Sequence, residues 1–137
     1  MIRILRVSNH PTLNKHGIGL HCQKISETDI FETFFVSPTI DENDTFIAPE
    51  NYILYNSSVK FQKRPISASL FNLLVFHISR ILKIIKFSIN CIQIGRKNNI
   101  DIVHIHSPMY ILVAIWAKFC SKSTCITYHG TDYLRIR

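Results

Sequence analysis

Three short polar segments of this 137-residue chain hold the side chains best suited to chemistry. The first is Ser8-Asn9-His10, with the loop that runs on to His16-Gly17-Ile18-Gly19. The second is His104-Ile105-His106-Ser107, and the third is Tyr128-His129-Gly130-Thr131-Asp132. A helix amino terminus offers unpaired N–H groups and the positive end of a dipole, and glycine there lets an anion come close. Gly17 and Gly19 stand where such a phosphate cradle would form. A tight turn without a ligand accounts for them equally well. Their spacing is not that of a GxGxxG dinucleotide loop, and no P-loop lysine follows.

His104 and His106 lie two residues apart on a β-prone run, so they point to one side, roughly 6–7 Å apart. That separation suits two metal ligands, but a catalytic zinc takes three protein ligands and no third is marked nearby. No metal is expected. The preferred arrangement has His106 facing a cleft and His104 packed deeper, and hydrogen-bonded core histidines are the plain alternative. In the third segment Gly130 lets the backbone turn sharply off a strand. His129, Thr131 and Asp132 then present donors and acceptors. The alternative is a helix-capping turn with Thr131 or Asp132 as the cap.

Each segment needs a strand behind it, and the pattern supplies one. Ile2 to Val7 is β-prone, ends at Asn9-His10-Pro11, and leads through the glycine loop to helix-like spacing at Leu20, Cys22 and Ile25. Thr33 to Ser37 is a second strand, Tyr52 to Tyr55 a third, and Val59 to Phe61 a further candidate. Ser69 to Arg96 reads as one long helix. In it Leu74, Ile78, Ile81, Ile85, Ile89 and Ile92 form the expected core stripe, with Arg80, Lys83 and Lys86 opposite. Asp101 to His106 is a strand, Ser107-Pro108 an N-cap and first helical residue, Tyr110 to Phe119 a helix, and Thr124 to Tyr128 a last strand. Strands alternating with helices imply an α/β fold built on a doubly wound parallel sheet. In such a sheet ligands bind beyond the carboxyl ends of the strands, where the strand order reverses. A further helix is expected past Arg137, so the domain reads as incomplete at its carboxyl-terminal end.

Lysine and arginine outnumber aspartate and glutamate 16 to 9, a net charge of +7 that favours phosphate-bearing partners. Nucleic acid is not expected, because there is no helix-turn-helix signature and no interleaving of aromatic with basic residues. The start, broken by Arg3 and Arg6, is not a secretory signal, and no run reaches the length of a membrane span. Cys22, Cys91, Cys120 and Cys125 form no CxxC pair and read as reduced thiols of a cytoplasmic protein. The long helix also has a membrane reading. Phe76, Arg80, Lys83, Lys86 and Phe87 are the candidate contacts with an anionic inner leaflet of the plasma membrane, making the protein peripheral there.

The series Asn14-Lys-His-Gly-Ile-Gly-Leu-His21, Asp101-Ile-Val-His-Ile-His106 and Thr127-Tyr-His-Gly-Thr-Asp132 resembles the amino-terminal domain of family-4 retaining glycosyltransferases in order and spacing. The resemblance runs from residue 1 to residue 137. It implies the GT-B architecture, two Rossmann-like domains facing across a cleft. Residues 1–137 would be part of the acceptor-side domain, and the nucleotide-sugar domain would be absent. It implies transfer of a sugar from a UDP- or GDP-sugar to a hydroxyl of a glycan or lipid-linked acceptor, in polysaccharide or glycolipid synthesis. No cofactor is implied. By the same resemblance His129 reaches the transferred sugar and is the catalytic candidate. Gly17 lies near the donor diphosphate, and His106 and Thr131 line the acceptor side. Asn9, His16, Gly19, Ser107, Gly130 and Asp132 complete the binding set. Where the family usually has a Gly-Gly pair, this chain has His16-Gly17. With the second domain's basic and carboxylate groups missing, the chain alone is expected to be inactive. The competing reading is a non-catalytic phosphate- or lipid-binding α/β module.

Overall fold

The computed structural model describes residues 1–8, 30–38, 52–57, 59, 61 and 69–127. Five strands form its sheet: β1 (Ile2–Val7), β2 (Phe31–Ser37), β3 (Tyr52–Asn56), β4 (Ile102–Ile105) and β5 (Ser123–Ile126). All pairings are parallel and the order is β3-β2-β1-β4-β5. From β1 the chain steps outward to β2 and β3, then crosses back to β4 and on to β5. The order therefore reverses between β1 and β4, and the sheet is doubly wound as the sequence pattern implies. Val59 and Phe61 belong to no strand. Val59 is buried in the core and Phe61 packs against it.

Alternation along the strands sends Leu5, Val7, Phe34, Val36, Val103 and Ile105 to one face of the sheet, where they meet two helices. Helix α1 (Leu70–Lys97) starts at Ser69, whose Oγ accepts from the Asn72 amide at 3.3 Å. It stops at Asn98, whose side chain donates to the Ile94 carbonyl at 2.8 Å, and Asn99 then turns the chain with φ 50°. Arg96 and Lys97 sit in its last turn, where the helix dipole favours positive charge. Helix α2 (Ile111–Phe119) follows a short 3-10 turn over Pro108–Tyr110.

The buried face of α1 is not the one the isoleucine spacing predicts. Its fully buried residues are Phe87, Ser88, Cys91 and Gly95. Leu74, Ile78, Ile81, Ile85 and Ile89 are exposed, Ile78 at 51% and Ile81 at 56%, while Ile92 is half-buried. Two apolar faces run along this helix, and periodicity alone does not say which one meets the sheet. Shape decides. Gly95 lets the helix press against α2, since a Cβ there would lie 2.7 Å from the Trp116 ring and 3.3 Å from Leu5. Phe87 fills the space beside it, its ring centroid 4.8 Å from that of Tyr110 and 6.3 Å from that of Phe61.

The basic residues are displaced too. Arg80 and Lys83 are half-buried and line a small hollow with Phe61, Phe76 and Ser79, so their apolar stems lie against the domain. Phe87 is wholly buried, and as a membrane-contact candidate it is therefore corrected to a core residue. Phe76 is half-buried in the hollow's wall.

Among the described cysteines, Cys91 is buried and Cys120 and Cys125 are exposed, all three as free thiols. Burial pushes the Cys91 thiol far above its ordinary range. In the folded protein Cys120 and Cys125 should react with a thiol reagent while Cys91 does so only after denaturant is added, read by mass spectrometry of labelled peptides. Gly95→Leu should lower stability by about 1–3 kcal/mol in urea unfolding, because the added carbons have to displace Trp116 or Leu5.

Candidate functional site

Because β1, β4 and β5 are parallel and adjacent, the segments leaving their carboxyl ends emerge along one edge of the sheet. The ladder continues one residue past each strand. The Ser8 amide donates to the Val36 carbonyl at 3.2 Å, the His106 amide to Val7 at 2.9 Å, and the Thr127 amide to Ile105 at 2.9 Å. Ser8 and His106 thus stand at the carboxyl edge of the sheet where strand order reverses, the usual place for a ligand crevice, and Thr127 stands one strand further along that edge.

Ser107 takes the role its sequence context predicts. In extended conformation (φ −162°, ψ 137°), it accepts from the Met109 amide through Oγ at 3.4 Å, and Pro108 opens the turn. His104 and His106 do lie on one side, with ring centroids 4.0 Å apart. Both are buried, His106 at 2% and His104 at 8% exposure, so the expected order, with His104 deeper and His106 facing a cleft, is corrected: His106 is the more enclosed of the two.

His104 is the middle of a polar chain across three strands. Its Nδ1 lies 2.7 Å from Nη1 of Arg6, and its Nε2 lies 2.7 Å from Oγ1 of Thr127. Arg6 is its register partner on β1, and both are buried. A guanidinium has only donors, so Nδ1 of His104 accepts and Nε2–H donates to Thr127. The tautomer follows from the partner. A charge in the interior is tolerated only where hydrogen bonds replace water, and His104 supplies one of them. With both ring nitrogens engaged in this way, His104 is a strut rather than a ligand. Among the described residues, no three His, Cys, Asp or Glu side chains gather as a metal site would require.

Asn9, His16, Gly17, Gly19, His129, Gly130, Thr131 and Asp132 lie outside the described residues. Of the proposed binding set, His106 and Ser107 are therefore the members with a described position, and β4 delivers them together. The sequence reading passed over Arg6 and gave no role to Thr127. An arginine inside an apolar β-run was the available signal for the first, since such a residue needs a buried partner.

Against solved structures the chain is similar to sucrose-phosphate synthase from Thermosynechococcus elongatus, a GT-B glycosyltransferase. The TM-score is 0.65 with 12% identity, covering 95% of this chain and 33% of that one. The chain spans about a third of the length of that enzyme. No protein-family model matches the sequence, and no curated protein matches it. At this identity the likeness is one of fold: an α/β domain with a parallel sheet, like part of a GT-B glycosyltransferase.

Thr127→Val should cost about 1 kcal/mol in a denaturant titration, because it leaves the His104 Nε2–H without this acceptor. Nitrogen chemical shifts of the His104 ring should show the proton of the neutral ring on Nε2 in the parent protein.

Proposed function

We propose that this chain is the acceptor-side, amino-terminal part of a retaining glycosyltransferase that uses a nucleotide-sugar donor. One observation carries the reading. Of the three segments that resemble family-4 motifs, the first comes after β1, the second is β4 with its flanking residues, and the third follows β5; these strands are adjacent and parallel in a fold like part of a GT-B enzyme. In this reading Gly17 and Gly19 bring backbone amides to the donor diphosphate, together with His16 and Asn9. His106 and Ser107 at the end of β4, and Thr131 after β5, line the acceptor side. Gly130 turns the chain so that His129 reaches the transferred sugar, and Asp132 completes the hydrogen bonding. The negative charge that develops on the leaving diphosphate is offset by backbone amides and basic side chains held in place beforehand, with no metal.

The acceptor is a hydroxyl of a glycan or of a lipid-linked sugar, and the donor nucleotide is uridine or guanosine diphosphate. In this reading the groups that grip the nucleotide come from a second Rossmann-like domain.

The test is a nuclear magnetic resonance titration of the isotope-labelled chain with UDP-glucose, GDP-mannose and short oligosaccharides. Perturbed amides at Ser8, His106, Ser107 and Thr127, weakened by His129→Ala, are the expected outcome. No perturbation at that edge, or perturbation confined to Ile2, Asp101 and Ser123 at the opposite edge, would sink the reading. Response to inorganic phosphate alone, with none to the sugars, would favour the non-catalytic phosphate-binding module instead.

A further inference from the structure

The outward side of α1 carries a repeat of its own. Phe71, Val75, Ile78, Leu82, Ile85 and Ile89 follow one another at alternating steps of four and three residues, and Ile92 continues them. That is the a/d pattern of a coiled coil, a mean step of about 3.5 residues kept up along most of the helix. All six are exposed, from 38% at Ile85 to 71% at Phe71. The positions opposite this seam, Phe87 and Ile94, are the ones turned to the domain. Phe87 is wholly buried and Ile94 packs against the core. The seam therefore lies on the side of α1 away from the sheet, where the domain does not obstruct a partner helix. An apolar patch of this extent exceeds what a monomer in water usually exposes.

The spacing and the charges select the occupant. Laid antiparallel on a second copy, Phe71 meets Ile89, Val75 meets Ile85 and Ile78 meets Leu82. Every layer is then apolar on both sides and joins an a position to a d position. The relation is the same from either copy, as a closed two-fold dimer requires. With exposed Leu70, Leu74 and Ile81 beside it, the seam offers roughly 1,000 Å² from each copy, above the about 800 Å² per partner of a standard interface. Charge decides the direction. In a parallel pair Arg96, the seam position after Ile92, would face its own copy, and the two Lys86 side chains would stand level. Antiparallel layers end at Ile89, which leaves Arg96 beyond the start of the partner helix, and they set Lys86 opposite Leu74. Each Lys86 is then about 18 Å along the helix from its copy, more than the screening length of about 8 Å at physiological salt. On one flank Ser88 and Gly95 are already buried, Gly95 against Trp116 of α2, so the seam has room for one further helix and not two.

We infer that two copies of this chain pair through an antiparallel coiled coil of their α1 helices, with the two-fold axis at the level of Arg80. No helix among the described residues is long and apolar enough to cross a membrane, so the stripe is not a bilayer span. Because the seam faces away from the sheet, the pairing does not depend on the sugar-transfer reading.

The experiment is sedimentation equilibrium of the whole chain from about 1 to 100 μM, a range that covers ordinary affinities. A dimer is expected, and it should tighten with salt, which screens the net charge of +7 on each copy. Ile78→Gln/Leu82→Gln should weaken it about tenfold or more. Cooperative unfolding should persist in that variant, because both sites face solvent in the single chain. Oxidation of an equal mixture of Phe71→Cys and Ile89→Cys chains should link these two positions between chains, read by mass spectrometry of the joined peptides. A monomer throughout the range overturns the proposal, including one whose stripe binds lipid vesicles instead. So does a dimer that Ile78→Gln/Leu82→Gln leaves unchanged, or one in which Phe71→Cys links to its own copy.

Discussion

Strand β1 is held on both sides by parallel neighbours, β2 along its whole length and β4 from Ile4 to Val7. This double pairing of one short strand is the constraint on which everything else rests. It makes β1 central, and its later residues, Ile4 to Val7, are buried and have to suit an interior. It also fixes the point at which strand order reverses, and a crevice opens there because the connections leaving the two neighbouring strands part company. Ser8 and His106 stand at that crevice because their amides extend the β1 pairings by one step on each side.

An arginine in such a strand creates a problem that the sheet solves locally. Arg6 cannot lose its proton and cannot reach water, so the register partner on β4 must be an acceptor of suitable length. His104 is that partner, and its other nitrogen passes the arrangement on to Thr127 at the end of β5. Three strand ends are thereby tied together by side chains as well as by the ladder. Breaking one member of such a buried polar set leaves the others short of partners, so the set resists small shifts of one strand against the next. The tilted contact of the His106 ring with that of His104 extends this rigidity to the carboxyl edge of the sheet.

Much of this was legible in the sequence. Ile2 to Val7 matched its strand, Ser107 capped as its context suggested, and the alternation of elements gave a parallel doubly wound sheet. Local signals of that kind report what the backbone needs. The orientation of α1 was not legible, because a helix with two apolar faces does not show by its period which one meets the sheet. Ile78 and Ile81 looked like core by hydrophobicity, whereas Phe87, Cys91 and Gly95 are core by shape. The meaning of Gly95 depends on Trp116, which lies on another element, and no local pattern encodes that encounter. The role of Arg6 likewise depends on a register between β1 and β4 that is set by the fold as a whole.

The two sides of α1 therefore answer to different demands. Toward the sheet the helix uses small or shape-fitting residues, Ser88, Cys91 and Gly95 beside Phe87, which allow close approach and dense packing. Away from the sheet it carries large branched residues that gain nothing from close approach and would be costly to hold in water. Stability of the domain does not call for them, since the buried face already supplies the packing. Polar substitutions on the outward side would leave that packing intact, so the Leu/Ile stripe is best understood as serving contact with something other than this sheet.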